Sequence, residues 1–186
     1  MNDEELASKK RAINLYTSGK INEIPVGTIE GLRQIHHYLF QDVFDFAGQV
    51  RDVDLAKGNF RFAPAMYLAD TLRTIDKMPE DTYDEIIKKY VEMNAAHPFR
   101  EGNGRATRIW LDQILKKRLG KCMDWFKIDK SEYLSAMERS PVNDLEIRTL
   151  LEGALTPDID NREVYMKGIQ ASYDYEGQSK YDVHDL

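Results

Sequence analysis

Residues 97–108 read HPFREGNGRATR, and their types and spacing suit chemistry on a phosphate. His97 is a base whose ordinary pKa leaves it neutral near pH 7. Glu101 would repel a bare phosphate unless a divalent cation stood between them. Magnesium is the expected one, because it is commonly held by one or two carboxylates plus nucleotide phosphates. Gly102 and Gly104 flank Asn103; glycine at both positions allows positive φ and lets a ligand approach the backbone closely, which together describe an anion-binding nest. Arg105 and Arg108 stand three apart, on neighbouring turns of one helix face, and each carries a forked donor set that can grip phosphate oxygens. Taken singly, each feature has a plain reading: a capping histidine, a glycine-rich turn, a solvated arginine face. Their conjunction within one short stretch points to a phosphate-handling site.

The flanking segments set the stage for that site. Upstream, TYDEIIKKYVEMNAA places Ile86, Ile87, Tyr90 and Val91 at helical spacing, and Pro98 disfavours α geometry at the residue before it. His97 therefore lies just past a helix end. Downstream, RATRIWLDQILKKRL places Ile109, Trp110, Ile114 and Leu115 on a second helix, so the EGNG turn leads into a helix N-terminus with unpaired N–H groups and a positive dipole end. Helical spacing recurs at Leu6, Ala7, Ala12, Ile13 and Tyr16 before Gly19, and at Ile29, Leu32, Ile35 and Leu39 after Thr28. Pro64 can open a helix carrying Met66, Leu68, Leu72 and Ile75. Thr82 with Glu85, Asn143 with Glu146, and Asp160 with Glu163 have the spacing of capping boxes. Between Val50 and Phe62 the pattern switches to alternation around a KGN turn, which predicts a small β-hairpin on an otherwise helical domain. The polar ending QSKYDVHDL, residues 178–186, is expected to be loose.

Bulk properties narrow the function classes. A chain of 186 residues with 42% hydrophobic residues predicts a single domain with a real core, residues 1–186. The net charge of -6 argues against an electrostatic hold on nucleic acid or an anionic membrane. Cys122, the one cysteine, cannot form an internal disulfide, and the opening stretch MNDEELASKK is more polar than is expected of a secretory signal. A cytoplasmic location is the resulting expectation.

The stretch 97–108 matches, at every defined position, the Fic signature H-x-F-x-(D/E)-G-N-G-R-x-x-R. The chain resembles the Fic family from about Thr28 to Gly177; the segment IHHYLFQDVFDFAGQVRDVDLAKGNFRFA is similar to the Fic region that carries the active-site flap. The resemblance implies an all-α Fic fold with a small β-hairpin flap beside the active site, and a protein adenylyltransferase that moves AMP from ATP to a hydroxyl of a target protein. On it, His97 is the catalytic base, Glu101 holds Mg2+, and Gly102, Asn103 and Gly104 form the anion hole, with the Asn103 side chain adding a donor. Phe99 is the buried anchor of the loop, and Arg105 and Arg108 contact the outer phosphates. Lys57, Gly58, Asn59 and Phe60 lie at the flap turn, where a target segment would dock by strand pairing.

The resemblance extends to regulation. Residues of about 160–177 predict a C-terminal helix in which Ser172, Glu176 and Gly177 match the Fic inhibitory pattern of Ser or Thr, three residues, Glu, then Gly or Asn. Glu176, badly placed at the negative end of its own helix, would pair with Arg108 and occupy the γ-phosphate position. Tyr173 and Tyr175 are candidates for self-modification that releases the helix. Gly104, where Doc-type kinases carry lysine, favours AMP transfer over phosphate transfer. The alternatives are removal of AMP from a modified target using Glu176, a Doc-like kinase, and a non-catalytic helical interaction module. Some family members modify type II topoisomerases, which makes those the first target to test; the oligomeric state is left open.

Overall fold

The computed structural model describes residues 3–186. Its first helix, α1 (Glu4–Thr17), starts where Asp3 accepts the Leu6 N–H, and α2 (Ile29–Phe40) starts where Thr28 accepts the Gly31 N–H. The expected hairpin is present but far shorter than the alternation suggested. Strands β1 (Ala56–Lys57) and β2 (Phe60–Arg61) pair antiparallel, Ala56 opposite Arg61 and Lys57 opposite Phe60. Gly58 at the first loop position takes φ 60°, the conformation a two-residue hairpin turn favours there. Helix α3 (Ala65–Asp76) follows Pro64, and α4 (Tyr83–Ala96) opens with both halves of the Thr82–Glu85 capping box formed.

Helix α5 (Asn103–Leu119) is the axis of the molecule, with Ala106, Ile109, Trp110, Leu111, Ile114 and Leu115 buried and the Trp110 indole N–H donating to Thr28 O at 3.0 Å. It packs on both α2 and α4. Full burial of each large apolar side chain contributes roughly 1.5–3 kcal/mol, so α5 is held firmly and its N-terminus is a fixed platform. Strand β3 (Cys122–Met123), helix α6 (Lys130–Arg139), helix α7 (Leu145–Glu152) and strand β4 (Leu155–Thr156) follow, β3 and β4 pairing antiparallel. The last helix, α8 (Arg162–Tyr175), lies against α1 and α5 and adds Met166, Ile169, Tyr173 and Tyr175 to the core. No helix among the described residues is long and apolar enough to cross a membrane.

The ending expected to be loose is instead packed against α1. Lys9 is fully buried, and its Nζ reaches Glu5 Oε2 at 2.8 Å and the carbonyls of Gln178 and Tyr181 at 3.2 and 2.6 Å. Glu5 in turn accepts the backbone N–H groups of Lys180 and Tyr181, and Val183 is fully buried. The polar groups of this segment are satisfied by α1 rather than by water, which composition alone does not reveal.

Candidate active site at the α4–α5 junction

His97 closes α4 with left-handed backbone, φ 51°, the only non-glycine among the described residues to do so. Its imidazole Nδ1 lies 3.2 Å from Asn94 O, an acceptor, so Nδ1 carries the proton and Nε2 keeps the lone pair. Phe62, just beyond the hairpin, stacks on the imidazole with ring centroids 3.7 Å apart. Burial pushes the His97 pKa down to about 4, against the hydrogen bond to Asn94, which favours the charged form. The ordinary pKa expected from sequence is thus corrected: His97 is a firmly neutral base at pH 7.

The loop after His97 is built from the inside. Asn103 donates Nδ2–H to Phe99 O at 2.7 Å and accepts the Phe99 N–H on Oδ1 at 2.9 Å. This corrects the expected role of its side chain, which is committed to the loop backbone rather than offered to an anion. Phe99 is fully buried and stacks on His36 at 3.8 Å. His36 accepts the Gly48 N–H on Nδ1 at 2.9 Å and donates Nε2–H to Glu101 O at 2.7 Å, and burial holds its pKa near about 4. It is a neutral strut rather than a ligand.

The two glycines do different jobs. Gly102 takes φ 85°, and a Cβ there would overlap the Phe40 ring. Gly104 lies in the first turn of α5 with ordinary helical backbone and makes no use of the positive φ that glycine allows; its bareness lets Glu176 Oε1 and the Arg108 guanidinium come close, and a Cβ would overlap the carboxylate. Glu101 presents an exposed carboxylate whose one ion pair, to Arg105, is long at 3.8 Å. An exposed carboxylate so weakly paired would suit a magnesium ion, supplying one ligand if such an ion were bound. Among the described residues no cluster of three or more His, Cys, Asp or Glu forms an all-protein metal site.

The two arginines diverge. Arg108 is buried; its Nε donates to Ser172 Oγ at 2.7 Å, and its NH2 donates to Ser172 O at 2.8 Å and to Glu176 Oε1 at 2.7 Å. NH1 reaches Tyr133 Oη at 3.3 Å, and Tyr133 shares a short hydrogen bond with Tyr90. Burial works against the Arg108 charge, and its neighbours Tyr133 and Glu176 more than offset that, raising its pKa. Burial alone would raise the Glu176 pKa, but Arg108 holds it below the usual carboxylate range. Arg105 instead turns toward α1 and the C-terminal segment, pairing with Glu4 at 2.9 Å and Gln178 Oε1 at 2.8 Å between the faces of Phe40 and Tyr173. The single shared face expected for the two arginines is therefore split.

Helix α8 ends as predicted, with Glu176 as its cap and Gly177 at φ 75°. Tyr173 and Tyr175, the residues expected to undergo self-modification, are both buried, and Tyr175 Oη donates toward the carbonyls of Trp125 and Ile128. At the hairpin, Lys57, Gly58 and Asn59 are exposed and Phe60 is half-buried. Residues that sequence reasoning missed are Arg51, Phe62, Asn94, Tyr133 and Gln178. None lies in the 97–108 motif, although Arg51 and Phe62 fall within the flap-like segment 35–63, and the fold brings all five to the site.

The model of the Fic/DOC family matches residues 27–115, from α2 through the hairpin to most of α5. The chain is 33% identical over 125 residues to "Probable protein adenylyltransferase Fic" of Escherichia coli, covering 61% of this chain and 62% of the relative. It is 31% identical over 134 residues to the protein of the same name in Salmonella typhimurium, covering 66% of each. The chain thus spans a little under two thirds of the length of these two relatives. A probable protein adenylyltransferase of Sinorhizobium fredii is 34% identical over 156 residues, covering 74% of this chain and 81% of the relative. Among solved structures, the BepC protein of Bartonella tribocorum with bound AMPPNP has a similar fold at a TM-score of 0.71 and 20% identity, covering 83% of this chain and 85% of that one. With the fold, the 97–108 motif and a relative matched over most of its length in agreement, the chain belongs to the Fic/DOC family.

Proposed function

We propose that residues 1–186 act as one protein adenylyltransferase unit, moving AMP from ATP to a hydroxyl of a target protein and held at low activity by Glu176. The observation that carries this reading is the neutral His97, with Nδ1 tied to Asn94 O, in a loop that runs into the α5 N-terminus. In the reaction the target hydroxyl oxygen attacks the α-phosphorus of ATP as its proton passes to His97 Nε2. The bond from the α-phosphorus to the bridging oxygen breaks, and pyrophosphate leaves. The first-turn N–H groups of α5 at Gly104 and Arg105 receive the phosphate charge, supported by the helix dipole. Glu101 would hold Mg2+, which when bound neutralises charge on the phosphates. Arg108 would grip the outermost phosphate, and the flap residues Lys57, Gly58, Asn59 and Phe60 would pair with an extended target segment.

Inhibition follows from one competition. Glu176 holds Arg108 at 2.7 Å, with Ser172 fixing the same guanidinium, so the nucleotide must displace a carboxylate to reach it. Arg105, packed against Glu4 and Gln178, steadies the helix end more directly than it serves the nucleotide. The first targets to test are type II topoisomerases. Incubation with α-labelled ATP in cell lysate is expected to label a protein with the Glu176→Gly variant. The label should fall at least ~10²-fold when His97→Ala is added, the usual loss of a general base. Undiminished labelling by the His97→Ala variant would remove His97 from the chemistry.

A further inference from the structure

The base of this site is held by two residues outside the signature. Arg51 is 4% exposed, and its guanidinium donates to four carbonyls: His97 O at 2.6 Å, Val53 O at 2.7 Å, Ala63 O at 2.6 Å and Ala96 O at 2.9 Å. Its own N–H donates to Pro98 O at 2.8 Å. Val53 precedes the hairpin and Ala63 follows it, while Ala96 ends α4 and His97 opens the loop. One side chain therefore ties both ends of the hairpin segment to the residue expected to take the proton. All three nitrogens of its planar fork donate to backbone carbonyls, a geometry lysine cannot copy. His97 meanwhile keeps left-handed backbone, a conformation that persists in a residue with a side chain only where neighbours impose it. Arg51 supplies that constraint at His97 O. Phe62, held by its N–H to Leu55 O at 3.1 Å, lies nearly parallel to the imidazole, with 10° between the ring planes.

We propose that Arg51 and Phe62 are positioning residues for His97: Arg51 fixes the loop backbone and couples it to the hairpin, and Phe62 fixes the imidazole plane. Nδ1 thereby stays on Asn94 O and Nε2 is the nitrogen offered for proton transfer. The role of His97 as base is taken from the function proposed above, but the geometry of its ring is independent of that role. The hairpin is then part of the base's scaffold as well as a surface for the target, and a target that shifts the hairpin shifts His97 with it.

Nitrogen-15 imidazole spectra of the full chain, followed with pH, test this directly. The charged groups facing His97 are Arg51, Lys57 of the hairpin and Glu176 at the end of α8; all three are left unchanged in the Phe62 variants. Wild type should show His97 neutral and protonated on Nδ1 down to about pH 5. Phe62→Ala, at a half-buried position, should raise the titration midpoint toward the unperturbed value of about 6.5 and mix the tautomers, while Phe62→Tyr should restore wild-type behaviour. In the Glu176→Gly background, Phe62→Ala and Arg51→Lys should each lower kcat at least ~10-fold with the Kd for Mg-ATP unchanged. A Phe62→Ala spectrum with the wild-type midpoint and tautomer overturns the inference, as does a loss of nucleotide affinity that accounts for the fall in kcat. Absence of transfer in every variant would count against the proposed function alone, since the spectra would still decide the positioning role.

Discussion

Replacing Glu176 with glycine should raise AMP transfer, and the contact it removes sets the size of the effect. The Glu176 carboxylate lies 2.7 Å from the Arg108 NH2, with its own side chain 30% exposed and that of Arg108 3% exposed. A hydrogen bond to a charged group contributes about 1.5–3 kcal/mol net, and partial exposure of Glu176 places this one away from the extreme of a sealed pair. A nucleotide that must displace the carboxylate loses that amount, so its removal should increase productive binding by roughly 10- to 150-fold. Glycine follows Glu176 in the chain already and the helix has ended there, so Glu176→Gly leaves the Ser172 and Tyr133 contacts of Arg108 in place. Glu176→Gln keeps a hydrogen-bonding oxygen without the charge and should fall between the two. The assay is the initial rate of label transfer from α-labelled ATP at fixed target concentration, with Mg-ATP affinity measured in parallel by calorimetry. A Glu176→Gly rate within about threefold of wild type, with folding intact, would show that the Arg108 contact is not what limits the proposed transfer.

Other predictions reach different parts of the molecule. In the Glu176→Gly background, transfer should be nearly flat from about pH 8 to about pH 5 and fall below that, because the pKa of His97 is pushed down to about 4 and only its neutral form accepts a proton; a rate that halves near pH 6.5 would show an unshifted base. Lys9→Met should strand Glu5 and two carbonyls of the C-terminal segment, costing about 3–5 kcal/mol. For a chain of this size that lowers Tm on the order of 6–20 °C by calorimetric scan, and a loss under about 2 °C would contradict the packed ending. Gly104→Ala should weaken the hold of Glu176 on Arg108, since the added methyl overlaps the carboxylate; an unchanged Glu176 position in a crystal structure of that variant would refute the close-approach argument.

The parts of the site legible in sequence were those set by local rules. The Thr82–Glu85 box forms as its spacing predicts, and Pro98 places His97 past the end of α4. The other two expected boxes do not form: α7 starts at Asp144 without a side-chain cap there, Asn143 Oδ1 instead accepting the Leu145 N–H at 3.0 Å, and α8 starts at Asn161, whose side chain accepts the Glu163 and Val164 N–H groups with no acid to answer it. Within the motif the residue types were readable and their directions were not. Asn103 turns inward because the Phe99 backbone, buried with its side chain, needs partners. Arg105 turns toward Glu4 and Gln178, which approach from opposite ends of the chain and leave no local signal. The buried ending and the buried Tyr173 and Tyr175 share that cause: each depends on α1 or on the segment around Trp125, elements distant in sequence that supply the missing partners.

The central claim is the proposed one, that the α4–α5 loop transfers AMP. Parallel reactions of the Glu176→Gly variant with α-labelled and γ-labelled ATP test it most directly. The account predicts protein-bound label from the α position only, with the γ label recovered in pyrophosphate. Protein-bound label from the γ position would contradict it and make the chain a kinase.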